Sequence, residues 1–90
     1  MTGTTLISII IPAYNEELRI PPYLRRLSSY CASAGAGLRF EIIVVDDGSS
    51  DNTAGVAAAC PGARVIRLEK NTGKGYAVSR GLLEAAGEVR

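Results

Sequence analysis

The chain alternates three short apolar runs with segments whose apolar residues recur every three or four positions. The runs fall at residues 6–11, 40–45 and 63–68, and the first two are almost continuously apolar. Such runs are typical of strands buried on both faces of a parallel sheet. Because parallel neighbours are joined by crossovers, the segments between the runs are predicted to be helices. The sequence therefore predicts an α/β fold with the order βαβαβα and a parallel sheet.

The first predicted helix has a single apolar stripe and clear limits. The stripe consists of Ile20, Tyr23, Leu24, Leu27 and Cys31. Pro21 and Pro22 fit only the first turn, where a missing amide donor costs little. Gly35 and Gly37 are predicted to end this helix.

Two further helices and the start of a fourth strand are predicted from the rest of the chain. Ser50 or Asp51 is expected to cap a short second helix that ends near Cys60. A third helix is predicted to end at Gly87. Its apolar stripe consists of Val78, Gly81, Leu82 and Ala85. Residues 88–90 are expected to begin another strand, so residues 1–90 are expected to form one partial domain of a longer protein.

Composition excludes several classes of function. The 90 residues carry ten basic and nine acidic side chains and no histidine. This balance leaves no positive excess for binding nucleic acid. Without histidine the chain cannot form a Ser-His or Cys-His catalytic pair or a histidine-ligated metal site. Cys31 and Cys60 are expected to be buried free thiols, and the chain is expected to be cytoplasmic.

Three polar segments follow the three predicted strands, and a ligand is expected there. They span residues 12–17, 46–53 and 71–75. In open parallel sheets, ligands bind beyond the carboxyl ends of the strands. The three segments are therefore predicted to converge at one edge of the sheet.

Five side chains in these segments suit a nucleotide, although each also has a structural interpretation. Tyr14 offers a flat ring for stacking a base, and Glu16 is either an acceptor or a complement to a helix N-terminus. Asp46 and Asp47 point to opposite faces of a strand, so one is expected to accept from a ligand while the other orders the loop. Either could instead cap the following turn. Lys74 opens a helix, which favours an anion such as a diphosphate, unless the segment is a flexible turn.

The remaining arginines and tyrosines are predicted to be structural. Five arginines are expected to lie on solvated faces of the molecule: Arg25, Arg26, Arg39, Arg64 and Arg67. Tyr23 and Tyr30 are expected to pack against the sheet rather than to contact a ligand.

Three sequence blocks together resemble the inverting family-two glycosyltransferases. They are Ile-Ile-Ile-Pro-Ala-Tyr-Asn-Glu-Glu at 9–17, Val-Val-Asp-Asp-Gly-Ser-Ser-Asp-Asn-Thr at 44–53 and Asn-Thr-Gly-Lys-Gly at 71–75. The resemblance implies the N-terminal half of a GT-A (Rossmann-like) nucleotide-diphospho-sugar transferase fold. Residues 16–24 and 73–78 look most like the dolichyl-phosphate glucosyltransferase branch, with the dolichyl-phosphate mannosyltransferase branch next.

The resemblance implies a reaction and its substrates. The donor would be a nucleotide-diphospho-sugar of the UDP-glucose type. The acceptor would be a polyprenyl or dolichyl phosphate at the cytoplasmic face of a membrane. Pro12, Tyr14 and Glu16 match family residues around the nucleotide.

The other matched positions follow the second and third strands. Val45 and Asp47 match family residues beside the base, and Asp47 is the expected acceptor for the base N–H. Asp46 matches a loop-ordering position. Lys74 matches a motif position that is expected to lie near the phosphates.

The resemblance also implies a divalent metal, Mg or Mn, in the full-length protein. The family's metal-binding Asp-x-Asp follows a strand that would start near Glu88, so these 90 residues are expected to bind no metal and to be inactive alone. With that strand missing, the first strand is expected to be an apolar edge through which chains self-associate.

Other functions fit the residues less well. A GDP-mannose-dependent enzyme and a non-catalytic nucleotide-binding scaffold share this fold and remain open. A nucleotidyltransferase usually has a Gly-rich basic loop after the first strand. A receiver domain carries its acidic pair after the first strand, whereas here the pair follows the second.

Overall fold

A computed structural model describes residues 4–35 and 37–85, together with the backbone of 88–89. The elements of this part are β1 (Thr5–Ala13), α1 (Ile20–Ala32), β2 (Leu38–Asp46), α2 (Thr53–Ala58), β3 (Ala63–Arg67), α3 (Lys74–Glu84) and β4 (Glu88–Val89). The described strands form one parallel sheet with the order β3-β2-β1-β4. The predicted α/β class and parallel sheet are confirmed.

The register of the sheet aligns the carboxyl ends of its three long strands. β1 and β2 pair over their whole length, from Thr5 opposite Leu38 to Ala13 opposite Asp46. β3 pairs with the second half of β2, and its last residue, Arg67, lies opposite Asp46. Ala13, Asp46 and Arg67 therefore lie side by side, and the segments that follow them leave from one edge.

Helices cover both faces of the sheet. Alternate residues of a strand point to opposite faces, so Ile42 and Val44 face one layer while Ile43 and Val45 face the other. The first layer contains α1 and α2, with a buried core at Ala13, Ile20, Leu24, Ile42, Val44 and Ala57. The second contains α3, with a core at Ile43, Val45, Leu68 and Ala77. Burial on both faces explains why β2 is continuously apolar from Ile42 to Val45.

Two predicted apolar stripes are partly wrong. α3 buries Ala77 and Gly81, whereas Leu82 is 44% exposed. The buried face of α3 is lined by small residues because this helix packs close to the sheet. On α1, Tyr23 is 42% exposed and Tyr30 is 68% exposed, so neither tyrosine is a core residue. The predicted helix end at Gly87 lies outside the described residues.

The start of α2 also differs from the prediction. The helix begins at Thr53 and its N-cap residue is Asn52, without a hydrogen bond from that side chain. Neither Ser50 nor Asp51 is the N-cap. Both residues make contacts with the loop that follows β1, which are described below.

β1 is not an open edge along its whole length. Ile7 and Ser8 pair with Glu88 and Val89 of β4. From Ile9 onward, the described residues place no strand on that side of β1. The expected edge is thus wrong for the start of β1, and self-association stays a prediction. Among the residues that the structure describes, no helix combines the length and apolarity needed to cross a membrane. Both cysteines are free, as expected, but each is only partly buried, so the expectation of buried thiols is wrong.

Candidate functional site

A cavity of about 730 Å³ opens at the carboxyl edge of the sheet, between α1 and the start of α3. Its walls come from the end of β1, the loop before α1 and one face of α1, together with Asp47 after β2 and Asn71, Gly73 and Lys74 before and at the start of α3. Five of the seven predicted site residues line it: Pro12, Tyr14, Glu16, Asp47 and Lys74. The alignment of the strand ends thus brings the three predicted segments together.

Val45 and Asp46 do not line the cavity. Val45 is fully buried in the core beneath α3, so its side chain does not reach the cavity, and its position beside a base stays a prediction. Asp46 is 1% exposed, and its Oδ1 accepts a hydrogen bond from the backbone N–H of Ser49 at 3.1 Å. Its Oδ2 lies 3.8 Å from Nε of Arg67. Asp46 therefore contacts its own loop and the neighbouring strand.

Asp47 joins the loop after β2 to the segment that starts α3. Its Oδ1 accepts hydrogen bonds from the N–H and the hydroxyl of Thr72, at 2.8 and 2.7 Å. Its Oδ2 accepts from the N–H of Gly73 at 2.9 Å. The backbone N–H of Asp47 donates to the carbonyl of Ala13 at 2.8 Å, which also links it to β1. Asp47 is buried at the point where all three segments meet.

The pKa of Asp47 lies below its ordinary value. Burial acts to raise this pKa, but the hydrogen bonds from Thr72 and Gly73 together outweigh it. The pKa of Asp51 is lowered as well. There the hydroxyl of Thr53 has the largest effect, and backbone donors from Glu17 and Thr53 add to it against the opposing effect of burial. Hydrogen-bond donors therefore favour the carboxylate form of both side chains: for Asp47 they come from the segment before α3, and for Asp51 from Thr53 and Glu17.

Tyr14, Glu16 and Lys74 are accessible from the cavity. The ring of Tyr14 is 46% exposed at the end of β1. Oε2 of Glu16 lies 3.7 Å from Nε of Arg19, three residues later. Lys74 is the first residue of α3, whose N-cap is Gly73. A positive side chain at the N-terminus of an 11-residue helix therefore lines the same cavity as an aromatic ring.

One comparison with known proteins decides the family of the chain. The family model described as Glycosyl transferase family 2 matches residues 8–89. The chain belongs to glycosyl transferase family 2. The resemblance seen in its three sequence blocks is thereby confirmed, and the blocks are the segments that form the cavity.

Individual members of family 2 are similar over most of this chain. It is 43% identical over 89 residues to a dolichyl-phosphate beta-glucosyltransferase of Trichomonas vaginalis, covering 91% of this chain and 26% of that protein. It is 38% identical over 88 residues to an undecaprenyl-phosphate 4-deoxy-4-formamido-L-arabinose transferase of Sodalis glossinidius, covering 92% of this chain and 26% of that protein. The chain therefore spans about a quarter of the length of these relatives.

A solved structure with the GT-A fold matches as well. It is glucosyl-3-phosphoglycerate synthase from Mycobacterium tuberculosis, in complex with Mn²⁺, uridine diphosphate and glucosyl-3-phosphoglycerate. The TM-score is 0.69 at 37% sequence identity, over 97% of this chain and 32% of that chain. The predicted GT-A fold is confirmed.

A divalent metal accompanies the nucleotide in that structural neighbour. In the part of this chain that the structure describes, no group of three His, Cys, Asp or Glu side chains could hold a metal ion. Asp46 and Asp47 are the adjacent pair that looks most like a metal site. Their carboxylates contact different residues, since Asp46 contacts Ser49 and Arg67 whereas Asp47 contacts Thr72 and Gly73. The described residues of this family 2 chain thus do not fit a metal centre of their own.

Sequence reasoning missed several residues of the cavity. Arg19, Tyr23 and Arg26 line it from the start of α1, although Arg26 was expected on a solvated face and Tyr23 in the core. Their spacing of four and three residues puts them on one helix face next to the first polar segment, and this is the signal that could have found them. Arg26 and Arg64 are both exposed, as predicted, and Nη2 of Arg64 lies 2.6 Å from Oε1 of Glu84 in a surface ion pair.

The lowered pKa values of Asp47 and Asp51 predict a loss of stability in acid. The pKa of an aspartate in an unfolded chain is about 3.9. Because the folded pKa values lie below the unfolded ones, both carboxylates contribute full stability above about pH 4, and this contribution is lost as the pH falls through the folded values. Urea midpoints measured from neutral to acid pH should fall less steeply in Asp47→Asn and Asp51→Asn than in the wild-type chain.

A matched control for this titration is Glu69→Gln, which neutralises an exposed carboxylate that does not line the cavity. It is expected to leave the acid slope close to that of the wild type. If the two aspartate variants keep the wild-type slope, the hydrogen bonds to Asp47 and Asp51 do not lower their pKa values.

Proposed function

We propose that this chain holds the donor in a glycosyltransferase that moves a sugar from a UDP-sugar, UDP-glucose in the first instance, to a polyprenyl phosphate. The observation that carries the proposal is the cavity at the carboxyl edge, where Tyr14, Asp47 and Lys74 meet. Membership of glycosyl transferase family 2 supports the proposal. So does the structural neighbour, which is 37% identical to this chain and was solved in complex with uridine diphosphate.

Each wall of the cavity offers what one part of a nucleoside diphosphate needs. The half-exposed ring of Tyr14 offers a face for stacking the base. Asp47 uses three of the roughly four acceptor positions of a carboxylate, so Oδ2 retains one for the N–H of a uracil. Lys74 and the first amides of α3 would hold the diphosphate by charge and hydrogen bonds. Glu16, beside Arg19, lines the same wall and is available to a ribose hydroxyl.

The relatives support the class of acceptor more broadly than they support the identity of the sugar. The two relatives described above both act on polyprenyl phosphates by name, but one transfers glucose and the other a modified arabinose. We propose that the longer protein works at the cytoplasmic face of a membrane, where such an acceptor is found. We also propose that its divalent metal, Mg or Mn, binds outside these residues; when bound, it would stabilise charge on the departing diphosphate.

The proposal is tested by titrating the 90-residue chain with UDP, GDP and ADP while recording amide NMR spectra. UDP is expected to bind most tightly and to shift the amides of residues 14–16, 47–48 and 73–76. Lys74→Met should weaken UDP binding about tenfold or more, because a hydrogen bond to a charged group contributes about 1.5–3 kcal/mol.

The control is Lys70→Met, which removes an exposed lysine four residues earlier that does not line the cavity. Its affinity for UDP should stay within about twofold of the wild type. Preference for GDP would favour a GDP-mannose enzyme instead. A folded chain whose amides respond to none of the three nucleotides, or equal losses in the two lysine variants, would contradict the proposed site.

A further inference from the structure

The loop that carries Tyr14 and Glu16 is held in place by a different loop. Between these two residues, Asn15 has a φ of +52°, in the left-handed region that side chains other than glycine rarely adopt. Its N–H donates to Oγ of Ser49 at 2.8 Å. Its Oδ1 accepts from the N–H of Ser50 at 2.9 Å and from the hydroxyl of Ser50 at 3.3 Å. Three contacts with residues far along the chain therefore hold one strained residue.

A second set of contacts continues along the same loop. The N–H of Glu16 donates to Oγ1 of Thr53 at 2.9 Å, and the N–H of Glu17 donates to Oδ2 of Asp51 at 3.2 Å. Oε1 of Glu17 accepts from the N–H of Asn52 at 2.9 Å. Asp51 is itself fixed, because its Oδ1 accepts from the N–H and the hydroxyl of the fully buried Thr53.

These contacts form what we call the loop clamp, residues 15–17 held by residues 49–53. Three successive backbone N–H groups, of residues 15, 16 and 17, each donate to a side chain of the second loop. Apolar burial contributes little to the order of the first loop, since Tyr14 is 46% exposed and Leu18 is 87% exposed. Its other hydrogen bonds are local, from the N–H groups of Arg19 and Ile20 to the carbonyl of Glu16. A loop with few buried apolar contacts opens readily unless hydrogen bonds hold it.

We infer that Asn15 and Asp51 are positioning residues for the nucleotide, an inference that rests on the proposed function. Neither residue lines the cavity. They act through Tyr14 and Glu16, whose orientation follows from the backbone on either side of Asn15. A loop that is already ordered binds its ligand without the loss of freedom that ordering would otherwise require. Loss of the clamp should therefore reduce the free energy of UDP binding more than it reduces the free energy of unfolding.

Three substitutions of Asn15 separate the backbone effect from the side-chain effect. Asn15→Asp keeps an acceptor and tolerates positive φ, and should bind UDP within about threefold of the wild type. Asn15→Gly keeps the backbone conformation but loses the bonds to Ser50, and should bind about fivefold more weakly. Asn15→Ala loses both and should bind about twentyfold more weakly. Affinities are compared at equal folded fraction, with Ser28→Ala, on the exposed surface of α1, as the control.

Asp51→Asn tests the other end of the clamp. Its amide can still accept one bond, but its NH₂ group meets a donor, either the N–H of Glu17 or the groups of Thr53. UDP affinity should fall about tenfold. The control Glu69→Gln makes the same chemical change at an exposed position and should leave the affinity unchanged. Equal affinity in all folded variants, or no difference among the three Asn15 variants, would overturn the inference.

Amide hydrogen exchange without any ligand keeps the clamp testable apart from the proposed function. The amides of residues 15–17 should exchange slowly in the wild-type chain and much faster in Asn15→Ala and Asp51→Asn, while core amides of β2 keep their protection. If UDP does not bind but this pattern holds, the proposed function fails and the clamp stands. If residues 15–17 exchange as fast as free loops in the wild type, or if β2 loses protection to the same extent in the variants, the clamp has no positioning role.

Discussion

Replacing Gly48 by alanine is expected to destabilise the chain by about 3 kcal/mol, through strain and steric overlap together. Gly48 has a φ of +72°. A Cβ atom there would lie 2.3 Å from the carbonyl carbon of Lys70 and 2.5 Å from the nitrogen of Asn71. These are backbone atoms, so they can retreat only if the whole segment between β3 and α3 moves. A chain of 90 residues has a total free energy of unfolding of about 5–13 kcal/mol, so this loss is a large share.

The control for Gly48→Ala is Gly62→Ala. Gly62 has a φ of +83°, but a Cβ atom there would meet nothing within 4 Å. Gly62→Ala should therefore lose only about 1–2 kcal/mol, the cost of left-handed backbone alone. Urea unfolding of the two variants and the wild type measures the difference. Equal losses would mean that the close approach of the two loops does not exist in solution.

Gly48→Ala is also expected to abolish UDP binding in any molecules that remain folded. The close approach at Gly48 brings residues 70–73 next to the loop after β2. Asp47 can accept hydrogen bonds from Thr72 and Gly73 only when these two segments lie so close together. Thr72 and Gly73 directly precede Lys74 in the sequence. A bulkier residue at 48 would push apart the two walls of the cavity that hold Asp47 and Lys74.

The sequence predicts the sheet and the position of the site because both follow from local patterns. Apolar runs mark strands buried on two faces, and the carboxyl-edge rule then brings the three polar segments together. The same pattern cannot give the depth of a residue. Val45 is the last apolar residue of β2, and only the packing of α3 on that face shows that its side chain is buried. Leu82 is exposed for a related reason, since α3 uses small residues at its contact.

The loop clamp could not be predicted because its partners are far apart in the sequence. Asn15 and Ser50 are separated by 35 positions. The only local sign is that asparagine tolerates positive φ, which is true of many turns. Asp51 is predicted to cap a helix because aspartate commonly precedes a helix. In the structure, however, its Oδ2 accepts a hydrogen bond from the N–H of Glu17 in the loop after β1. Long-range polar contacts of this kind leave no periodic trace in a sequence.

The second large effect is expected at Gly81, where alanine should destabilise the chain by about 2 kcal/mol. A Cβ atom on Gly81 would lie 2.3 Å from Cγ2 of Ile10 and 3.3 Å from Cγ2 of Val45. Cγ2 is attached directly to the β-carbon of Ile10, and a β-branched side chain has few other rotamers to adopt. α3 would have to move away from β1 and β2. This loss outweighs the gain of up to about 1 kcal/mol that alanine brings to a helix.

Gly75→Ala makes the same change on the same helix and should have the opposite sign. A Cβ atom on Gly75 meets nothing within 4 Å, so only the helical preference of alanine remains and stability should rise by about 0.5–1 kcal/mol. The double variant Ile10→Ala/Gly81→Ala removes the overlapping atom and should lose less than the sum of the two single variants. Urea midpoints of all four variants test the packing of α3 directly. Two outcomes would contradict this packing: Gly81→Ala is as stable as Gly75→Ala, or the effects of the two single substitutions simply add in the double variant. Either would mean that α3 lies farther from Ile10 than the structure has it, and that Lys74, the first residue of α3, has a different position at the cavity.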